Sequence, residues 1–347
     1  RTPLSPVQTV QSWPRIQGKK RLAGISAFGV GGTNCHLIIE EPPEPKPHTA
    51  DRQTHLLCLS APGPAELARV QTSFADALAA NAEMPIAEFC ATANQRANRF
   101  QHRASVVVRS REDAIRQLRQ HAVGKDAAHR PPLLFLFPGP GGHYAGMGRH
   151  LYEERAFTDA ISECDSVLQP ILGHSLRSLF TSGASRLDQI EVAQPASFAF
   201  GYALARWLES LDILPDAVLG HSGGEYTAAC IAGVLSLQEA ARLSHARGLA
   251  MHRTKPGRMA VVHASADRVR PLLSQWSDMD IACINSPNQC VVSGVGRSVK
   301  AARASLRTIE LQCDELNISC AAHSSLMDSA QQELMPHLSS LAKVRPK

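Results

Sequence analysis

The sequence contains no stretch of 18 apolar residues, so it predicts no membrane-spanning helix. The chain does not begin with the charged leader, apolar core and cleavage site of a signal peptide, so nothing in the sequence marks it for secretion. Its nine cysteines form no Cys-x-x-Cys pair, which argues against zinc sites and disulfides. We therefore expect a cytoplasmic chain with reduced thiols and no metal site.

Aromatic residues are also scarce, at 5% of the chain. The formal net charge is +5, but the basic residues are scattered, with one short run at residues 19–21. A nucleic-acid interface needs a clustered basic patch with aromatic platforms, so we expect no nucleic-acid partner. Attraction of acidic ligands, or of an acidic carrier domain, remains open.

The length of 347 residues suits two or three domains, and the first residue is Arg rather than Met, as expected for a fragment. A Glu/Pro-rich stretch at residues 40–47 predicts an extended linker. The pattern that follows predicts a small α+β domain without chemistry of its own. Its elements are strands at 56–60 and 104–109 and helices at 64–82, 86–95 and 111–122.

The second half of the chain has a different pattern. Strands at 133–137 and 217–220 alternate with helical stretches, which predicts a mostly parallel α/β sheet. The stretch 259–318 instead predicts a β-α-β-β-α-β order, typical of a ferredoxin-like fold. Its elements are strands at 259–264, 281–285, 289–293 and 311–318 and helices at 266–275 and 299–307. We interpret this stretch as an insertion.

Residues 220–224 read Gly-His-Ser-Gly-Gly, a G-x-S-x-G motif between an apolar strand and a helical stretch at 228–232. This context is that of a nucleophile elbow, where small neighbours allow a sharp turn and the helix N-terminus stabilises negative charge. The motif predicts Ser222 as a nucleophile. A serine hydroxyl needs a base, and His323 stands just after the predicted insertion.

Several motifs together resemble the malonyl-type acyltransferases of polyketide and fatty acid synthases, from about residue 133 to the end. They are Gln-Pro-Ala at 194–196, the elbow with Glu225, and His-Ser-Ser-Leu-Met at 323–327. The resemblance implies that acyl-CoA acylates Ser222 and that His323 is its base. The acyl group then passes to the phosphopantetheine of an acyl carrier protein, and no cofactor is tightly bound.

The same resemblance assigns substrate-binding roles to Arg247 and Gln194. The family places an arginine on the helix after the elbow helix, where it pairs with the free carboxylate of the extender unit. A guanidinium can grip a carboxylate through two hydrogen bonds. Such a pair would favour dicarboxylic acyl groups by roughly 2–4 kcal/mol. Gln194 matches a family active-site position with a supporting polar role.

The first part of the chain resembles other segments of such synthases. Residues 24–36 are similar to the C-terminal signature of ketosynthases, and residues 89–96 with His102 and Arg103 are similar to the ketosynthase–acyltransferase linker. This implies a ketosynthase tail at 1–43, a linker at 44–131, and a C-terminally truncated acyltransferase at 132–347 with a ferredoxin-like subdomain at 258–318. It also implies a ketosynthase upstream in the same chain, and a dimer formed through it.

The expected fold is therefore α/β. A hydrolase-like large subdomain with a parallel sheet carries an inserted ferredoxin-like small subdomain, and a small α+β linker domain precedes both.

The sequence departs from the family at the oxyanion hole. The family's Gly-Gln-Gly-x-Gln loop reads Gly-Pro-Gly-Gly-His at 139–143, and Pro140 lacks the N–H that the family uses there. Losing such a donor typically costs about 3–4 kcal/mol of transition-state stabilisation. Either a neighbouring N–H, such as that of Gly141, replaces it, or the domain is slow. The other family donor, the N–H after the nucleophile, is kept at Gly223.

The pocket residues and the chain end depart as well. Residues 320–323 read Cys-Ala-Ala-His, so Ala322 replaces a bulky residue, and Gly223 replaces a larger one after the serine. Both changes are expected to enlarge the pocket near the substrate α-carbon. The sequence stops at Lys347, before the family's final strand and helices, which supply a carbonyl that orients the histidine.

Three functions compete on this sequence. An extender-unit acyltransferase leads. A serine hydrolase or thioesterase has the same G-x-S-x-G motif, but Arg247 and the absence of an assigned acid partner for His323 disfavour it. A degenerate acyltransferase kept as a docking scaffold is favoured by Pro140 and disfavoured by the intact Ser222, His323 and Arg247.

Overall fold

The computed structural model describes residues 6–43, 53–96, 100–120, 125–126, 131–144, 146–182, 184–316, 318, 320–339, 341 and 344–346. The chain divides into two compact units, Arg1–Arg130 and Pro131–Lys347. Among the described residues, no helix is both long enough and apolar enough to cross a membrane.

The first unit opens with an antiparallel hairpin of β1 (Leu22–Phe28) and β2 (Asn34–Glu40). The apolar run at residues 37–39 lies inside β2. Gly24 lies within β1 opposite Ile38, and residues 29–33 form the turn. The linker predicted at 40–47 lies outside the described residues from residue 44 onward.

The rest of this unit is the predicted small α+β domain. Alternate residues of its two long strands are buried under the helices: Leu57, Leu59 and Ala61 on one strand, and Ala104, Val106 and Val108 on the other. This period of two places one face of the sheet in the core. The elements are β3 (His55–Ala61), α1 (Pro64–Ala80), α2 (Ile86–Arg96), β4 (His102–Val108), α3 (Arg111–Arg119) and β5 (Lys125–Asp126), with the strands in the order β3-β4-β5.

The second unit is built around a parallel strand pair and a helical core. Strands β6 (Leu134–Phe137) and β7 (Ala217–Gly220) pair in parallel, from Leu134 with Ala217 to Phe137 with Gly220. The helices are α4 (Arg155–Leu172), α5 (Leu176–Ser182), α6 (Ala184–Leu187), α7 (Ile190–Ser210), α8 (Gly224–Ile231), α9 (Leu237–His252) and, after the insertion, α12 (Asp328–Ser339). Buried side chains of α4, α7 and α9 form the main core of this subdomain.

The insertion has the ferredoxin-like order predicted from the sequence. Its elements are β8 (Gly257–Val262), α10 (Ala266–Leu273), β9 (Met279–Ser286), β10 (Gln289–Val295), α11 (Gly296–Thr308) and β11 (Cys313–Glu315). The antiparallel sheet has the order β11-β8-β10-β9. An isolated bridge between Pro256 and Cys320 joins the two ends of the insertion.

The last strand is shorter than the sequence predicted. We expected a strand at 311–318, but only three residues pair with β8, from Cys313 with Val262 to Glu315 with Ala260. The N–H of Leu316 still bonds to the carbonyl of Met259 at 2.9 Å. Residue 317 lies outside the described residues.

Candidate active site

Ser222 sits on a sharp turn between a strand and a helix. Strand β7 ends at Gly220, helix α8 begins at Gly224, and the backbone φ of Ser222 is 53°. A residue with a Cβ adopts this left-handed region only at a cost of about 1–3 kcal/mol, and such strain concentrates at functional sites. The strand–turn–helix arrangement predicted from the motif is thus present.

Two glycines make this turn possible. An ideal Cβ on Gly220 would lie 2.2 Å from the backbone nitrogen of Glu225, and one on Gly224 would lie 2.0 Å from the carbonyl oxygen of Phe137. No side chain fits at those distances. The first and last glycines of the motif are therefore required by the close passage of the backbone.

Three side chains meet at this turn. Ser222 Oγ lies 2.7 Å from His323 Nε2, although the two residues are 101 positions apart in sequence. Arg247, on α9, donates from Nη2 to the same Oγ at 3.1 Å. Because arginine can only donate, the hydroxyl hydrogen is free to point at the imidazole, where Nε2 accepts it. This assigns the tautomer of His323 with its proton on Nδ1.

The protonation of His323 suits a base. Partial burial lowers its pKa below the ordinary value of 6.5, and the nearby charge of Arg247 and the imidazole of His221 act in the same direction. The imidazole is therefore neutral near pH 7 and can accept a proton. Burial also lowers the pKa of Arg247, yet a guanidinium stays charged at neutral pH.

Unpaired polar atoms converge beside the serine. Gln194 is only 2% exposed, and its amide donates to the sulfur of Met251 at 3.5 Å, a weak acceptor. Its Oε1, and Nη1 of Arg247, are buried and have no hydrogen-bond partner in the part of the chain that the structure describes. An ideal Cβ on Gly223 would lie 2.5 Å from Gln194 Oε1 and 3.4 Å from Arg247 Nη1. Gln194 therefore already occupies the space that the glycine at 223 was expected to open for a substrate.

The loop with the unusual proline touches the elbow. An ideal Cβ on Gly139 would lie 3.3 Å from Ser222 Cβ, and one on Gly223 would lie 3.2 Å from Pro140 Cδ. The proline ring carbon, which replaces an amide hydrogen, therefore faces the elbow. The N–H of Gly223 bonds to no other described residue. Gly141 has a φ of 130°, a conformation that favours glycine, and its expected part in an oxyanion hole stays a prediction.

Ala322, which was expected to line the substrate pocket, lies in a hydrophobic cluster. It is 8% exposed and packs in a hydrophobic cluster with Ile190, Met251 and Met259, among others. A cavity of about 260 Å³ opens beside Arg247 and His323, and Ala322 is not among its lining residues. The structure thus gives the small side chain a packing role, and its place in a substrate pocket stays a prediction.

Sequence reasoning missed one contact near the histidine. Asp280, on β9 of the insertion, accepts hydrogen bonds from the N–H and the hydroxyl of Ser325, two residues after His323. Nothing in the local pattern around residue 280 indicates this contact. Finding it from sequence would have required the strand register and the path of the chain after β11.

Comparison with known proteins agrees with this geometry. A family model described as "Acyl transferase domain" matches residues 134–347. The chain belongs to the acyl transferase family. A second model, described as "CurL-like, PKS C-terminal", matches residues 55–118. The acyltransferase is therefore of the kind found in modular polyketide synthases, as the motifs predicted.

The relatives are much longer than this chain. Erythronolide synthase EryA3 of Saccharopolyspora erythraea is 32% identical over 97% of the chain, which spans 11% of that relative. Polyketide synthase GfsA of Streptomyces halstedii is 32% identical over 96% of the chain, which spans 5% of that relative.

Solved structures show the same acyltransferase fold. The acyl transferase domain of SpnD, in complex with 2-(pent-4-yn-1-yl)malonyl, is 32% identical, with a TM-score of 0.76 over 85% of this chain and 72% of that one. A malonyl CoA-acyl carrier protein transacylase from Burkholderia pseudomallei is 31% identical, with a TM-score of 0.57 over 62% of this chain and 74% of that one. The predicted fold class is thereby confirmed.

Proposed function

We propose that this acyltransferase loads a malonyl-type extender unit from acyl-CoA onto Ser222 and then onto the phosphopantetheine of an acyl carrier protein. The observation that carries the proposal is the pair of hydrogen bonds on one oxygen: Ser222 Oγ contacts His323 Nε2 at 2.7 Å and Arg247 Nη2 at 3.1 Å. One partner can remove the proton, and the other can stabilise the charge that develops when it leaves.

Acylation of the enzyme is the first half-reaction. Ser222 Oγ attacks the thioester carbonyl while His323 Nε2 takes its proton. The tetrahedral intermediate then collapses, the C–S bond breaks, and the leaving thiolate of coenzyme A takes the proton from the imidazolium of His323. The free N–H of Gly223 is the proposed donor to the oxyanion.

Transfer to the carrier reverses these steps. His323 takes the proton of the phosphopantetheine thiol, and the thiolate attacks the acyl ester. The ester C–O bond breaks, and Ser222 Oγ recovers the proton from the imidazolium. No oxidant, metal or bound cofactor takes part in this scheme.

The substrate class follows from charge. Nη1 of Arg247 is buried and has no hydrogen-bond partner among the described residues, so a substrate carboxylate would supply an acceptor for it. Gln194 is the proposed polar support on the same side. The SpnD domain was solved in complex with 2-(pent-4-yn-1-yl)malonyl, an acyl group of this chemical class.

The wider assembly is proposed on the same relatives. An acyl carrier protein, an upstream ketosynthase in the same polypeptide, and a dimer formed through that ketosynthase fit polyketide synthases. The proposed domain boundaries are 1–43, 44–131 and 132–347, with the small subdomain at 258–318. A cytoplasmic location fits as well.

A second candidate, a docking scaffold without activity, rests on Pro140. Its ring faces the elbow where the family has an N–H, and this could leave the oxyanion short of a donor. A separate acyltransferase would then load the carrier protein.

Intact-protein mass spectrometry tests the proposal directly. The protein is mixed with malonyl-CoA, substituted malonyl-CoAs and acetyl-CoA, and the mass added identifies activity and substrate together. We expect a covalent malonyl-type adduct on Ser222 that is discharged by an acyl carrier protein bearing phosphopantetheine.

Ser222→Ala is the control for this experiment, and it should abolish the adduct. Acylation that persists in this variant would contradict the assignment of the nucleophile. Absence of any adduct on the folded wild-type protein would favour the scaffold, and rapid release of free acid without a carrier protein would favour a hydrolase.

A further inference from the structure

The backbone conformation of His323 is strained. Its φ is 58°, in the left-handed region that residues with a Cβ rarely occupy. Such a conformation persists only where surrounding contacts impose it. The contacts around His323 therefore decide whether its Nε2 stays within hydrogen-bonding distance of Ser222.

Some of these contacts lie within the turn itself. Ser324 donates from its hydroxyl to the carbonyl of Ala321 at 2.7 Å and accepts from the N–H of Leu326 at 3.3 Å. A short 3-10 helix, Ser325–Met327, follows directly. These bonds shape the turn, but they do not tie it to the rest of the unit.

One carboxylate ties the turn to the inserted subdomain. Asp280 Oδ2 accepts from the N–H of Ser325 at 2.9 Å and from its hydroxyl at 3.1 Å. Asp280 lies in β9, where it is opposite Ser293 of β10. Because β9 is hydrogen-bonded along β10, the carboxylate stands on a rigid element and can fix the position of Ser325.

We propose that Asp280 is a positioning residue for His323: it acts through Ser325 to hold the catalytic turn against the inserted subdomain. This inference rests on the proposed role of His323 as the base. The carboxylate of Asp280 hydrogen-bonds to Ser325 and not to the imidazole of His323. It contributes geometry, and geometric errors near 1 Å can reduce catalysis about 100-fold.

The test compares Asp280→Ala with Asp280→Asn. The alanine variant loses the acceptor and should slow single-turnover acylation of Ser222 about 10- to 100-fold. Asparagine keeps one acceptor oxygen in the same place without the charge, so it should restore most of the rate. In both variants, the acid limb of the pH–rate profile should lie at the same pH as in the wild-type protein.

Asp278→Ala is the matched control. Asp278 also lies in the insertion, but its carboxylate accepts a hydrogen bond from the hydroxyl of Ser298 in α11, at 2.9 Å, and not from the turn of His323. Its removal should change the acylation rate less than about 2-fold, although it breaks a charge-assisted bond of the same kind. Equal rate losses at 278 and 280, or equal losses in the two Asp280 variants, would overturn the proposal.

A second readout separates this inference from the proposed function. A fluorophosphonate probe reacts with a base-activated serine whatever its natural acyl donor, with fluoride leaving and His323 taking the proton. The protein could be labelled by the probe at Ser222 and yet accept no acyl-CoA, which would contradict the proposed function. If Asp280→Ala then slows the labelling and Asp278→Ala does not, the role of Asp280 is supported independently of that function. A folded wild-type protein that reacts with neither reagent would overturn both.

Discussion

The two turns of the candidate site carry the same backbone strain but are built differently. Ser222 and His323 have φ values of 53° and 58°. The serine turn is formed by a single contiguous segment, β7, the two glycines and α8, which packs against Phe137 at the end of β6. The histidine turn follows the 63 residues between Pro256 and Cys320, and a carboxylate from that segment anchors it. A local pattern can therefore reveal the first turn and cannot reveal the second.

Substitutions can sharpen this contrast between the nucleophile side and the histidine side of the site. On the nucleophile side, side chains and N–H groups point at the reacting atoms, so changes there should alter rate and selectivity. On the histidine side, Ala322 lies inside a packed cluster, so a change there should first alter stability.

Arg247→Ala should give the largest effect. Loss of the partner for the substrate carboxylate should reduce use of malonyl-type substrates about 30- to 1000-fold, the equivalent of roughly 2–4 kcal/mol. The rate with acetyl-CoA, which has no free carboxylate, should fall far less. The measurement is kcat/KM for both donors. The control is Arg242→Ala, which changes an exposed arginine on the same helix. Equal losses for both donors in Arg247→Ala would mean that Arg247 acts only on Ser222 and does not bind the substrate carboxylate.

Pro140→Gln should have the next largest effect, and in the opposite direction. Restoring an N–H next to Gly223 should raise the rate of single-turnover acylation about 10- to 100-fold. This is part of the stabilisation that an oxyanion donor usually gives to the transition state. Pro140→Ala restores the same N–H without the glutamine side chain and should give a similar gain. Unchanged or lower rates would mean that another N–H, such as that of Gly141, already donates to the oxyanion.

Ala322→Phe should have the smallest effect on chemistry. A ring in the cluster with Met251 and Met259 overpacks it and should destabilise the protein by about 1–3 kcal/mol. For a unit of this size, Tm should fall by about 2–4 °C per kcal/mol. Ala301→Phe, on the exposed face of α11, should leave Tm unchanged. An unaltered Tm with a shifted ratio of substituted to unsubstituted malonyl would instead place Ala322 in the substrate pocket.

The sequence predicted more of the fold than of the site. Periodicity located the elements of the insertion and their ferredoxin-like order, and the glycines of the elbow predicted the turn at Ser222. Element ends were less accurate: β11 is shorter than expected because only three residues pair with β8. Arg247 and His323 came from resemblance, since their meeting depends on how α9 and the insertion pack.

Two details lay beyond any local pattern. Gly223 was expected to open space, but the carboxamide of Gln194, 29 residues earlier in α7, fills it. The contact between Asp280 and Ser325 joins residues 45 positions apart. Both depend on side-chain packing between elements, which propensity and spacing do not encode.

The bridge between Pro256 and Cys320 also bears on the order in which the chain folds. The nucleophile and its base are 101 residues apart, and the entropy lost in closing a flexible loop rises by about 0.6 kcal/mol for each doubling of its length. Once the insertion has folded and its ends are paired, less than half of that length remains to be closed. The entropic cost of bringing Ser222 and His323 together is then lower by about 0.6 kcal/mol or slightly more. A subdomain that folds before the rest of its unit would thus bring Ser222 and His323 closer together along the chain.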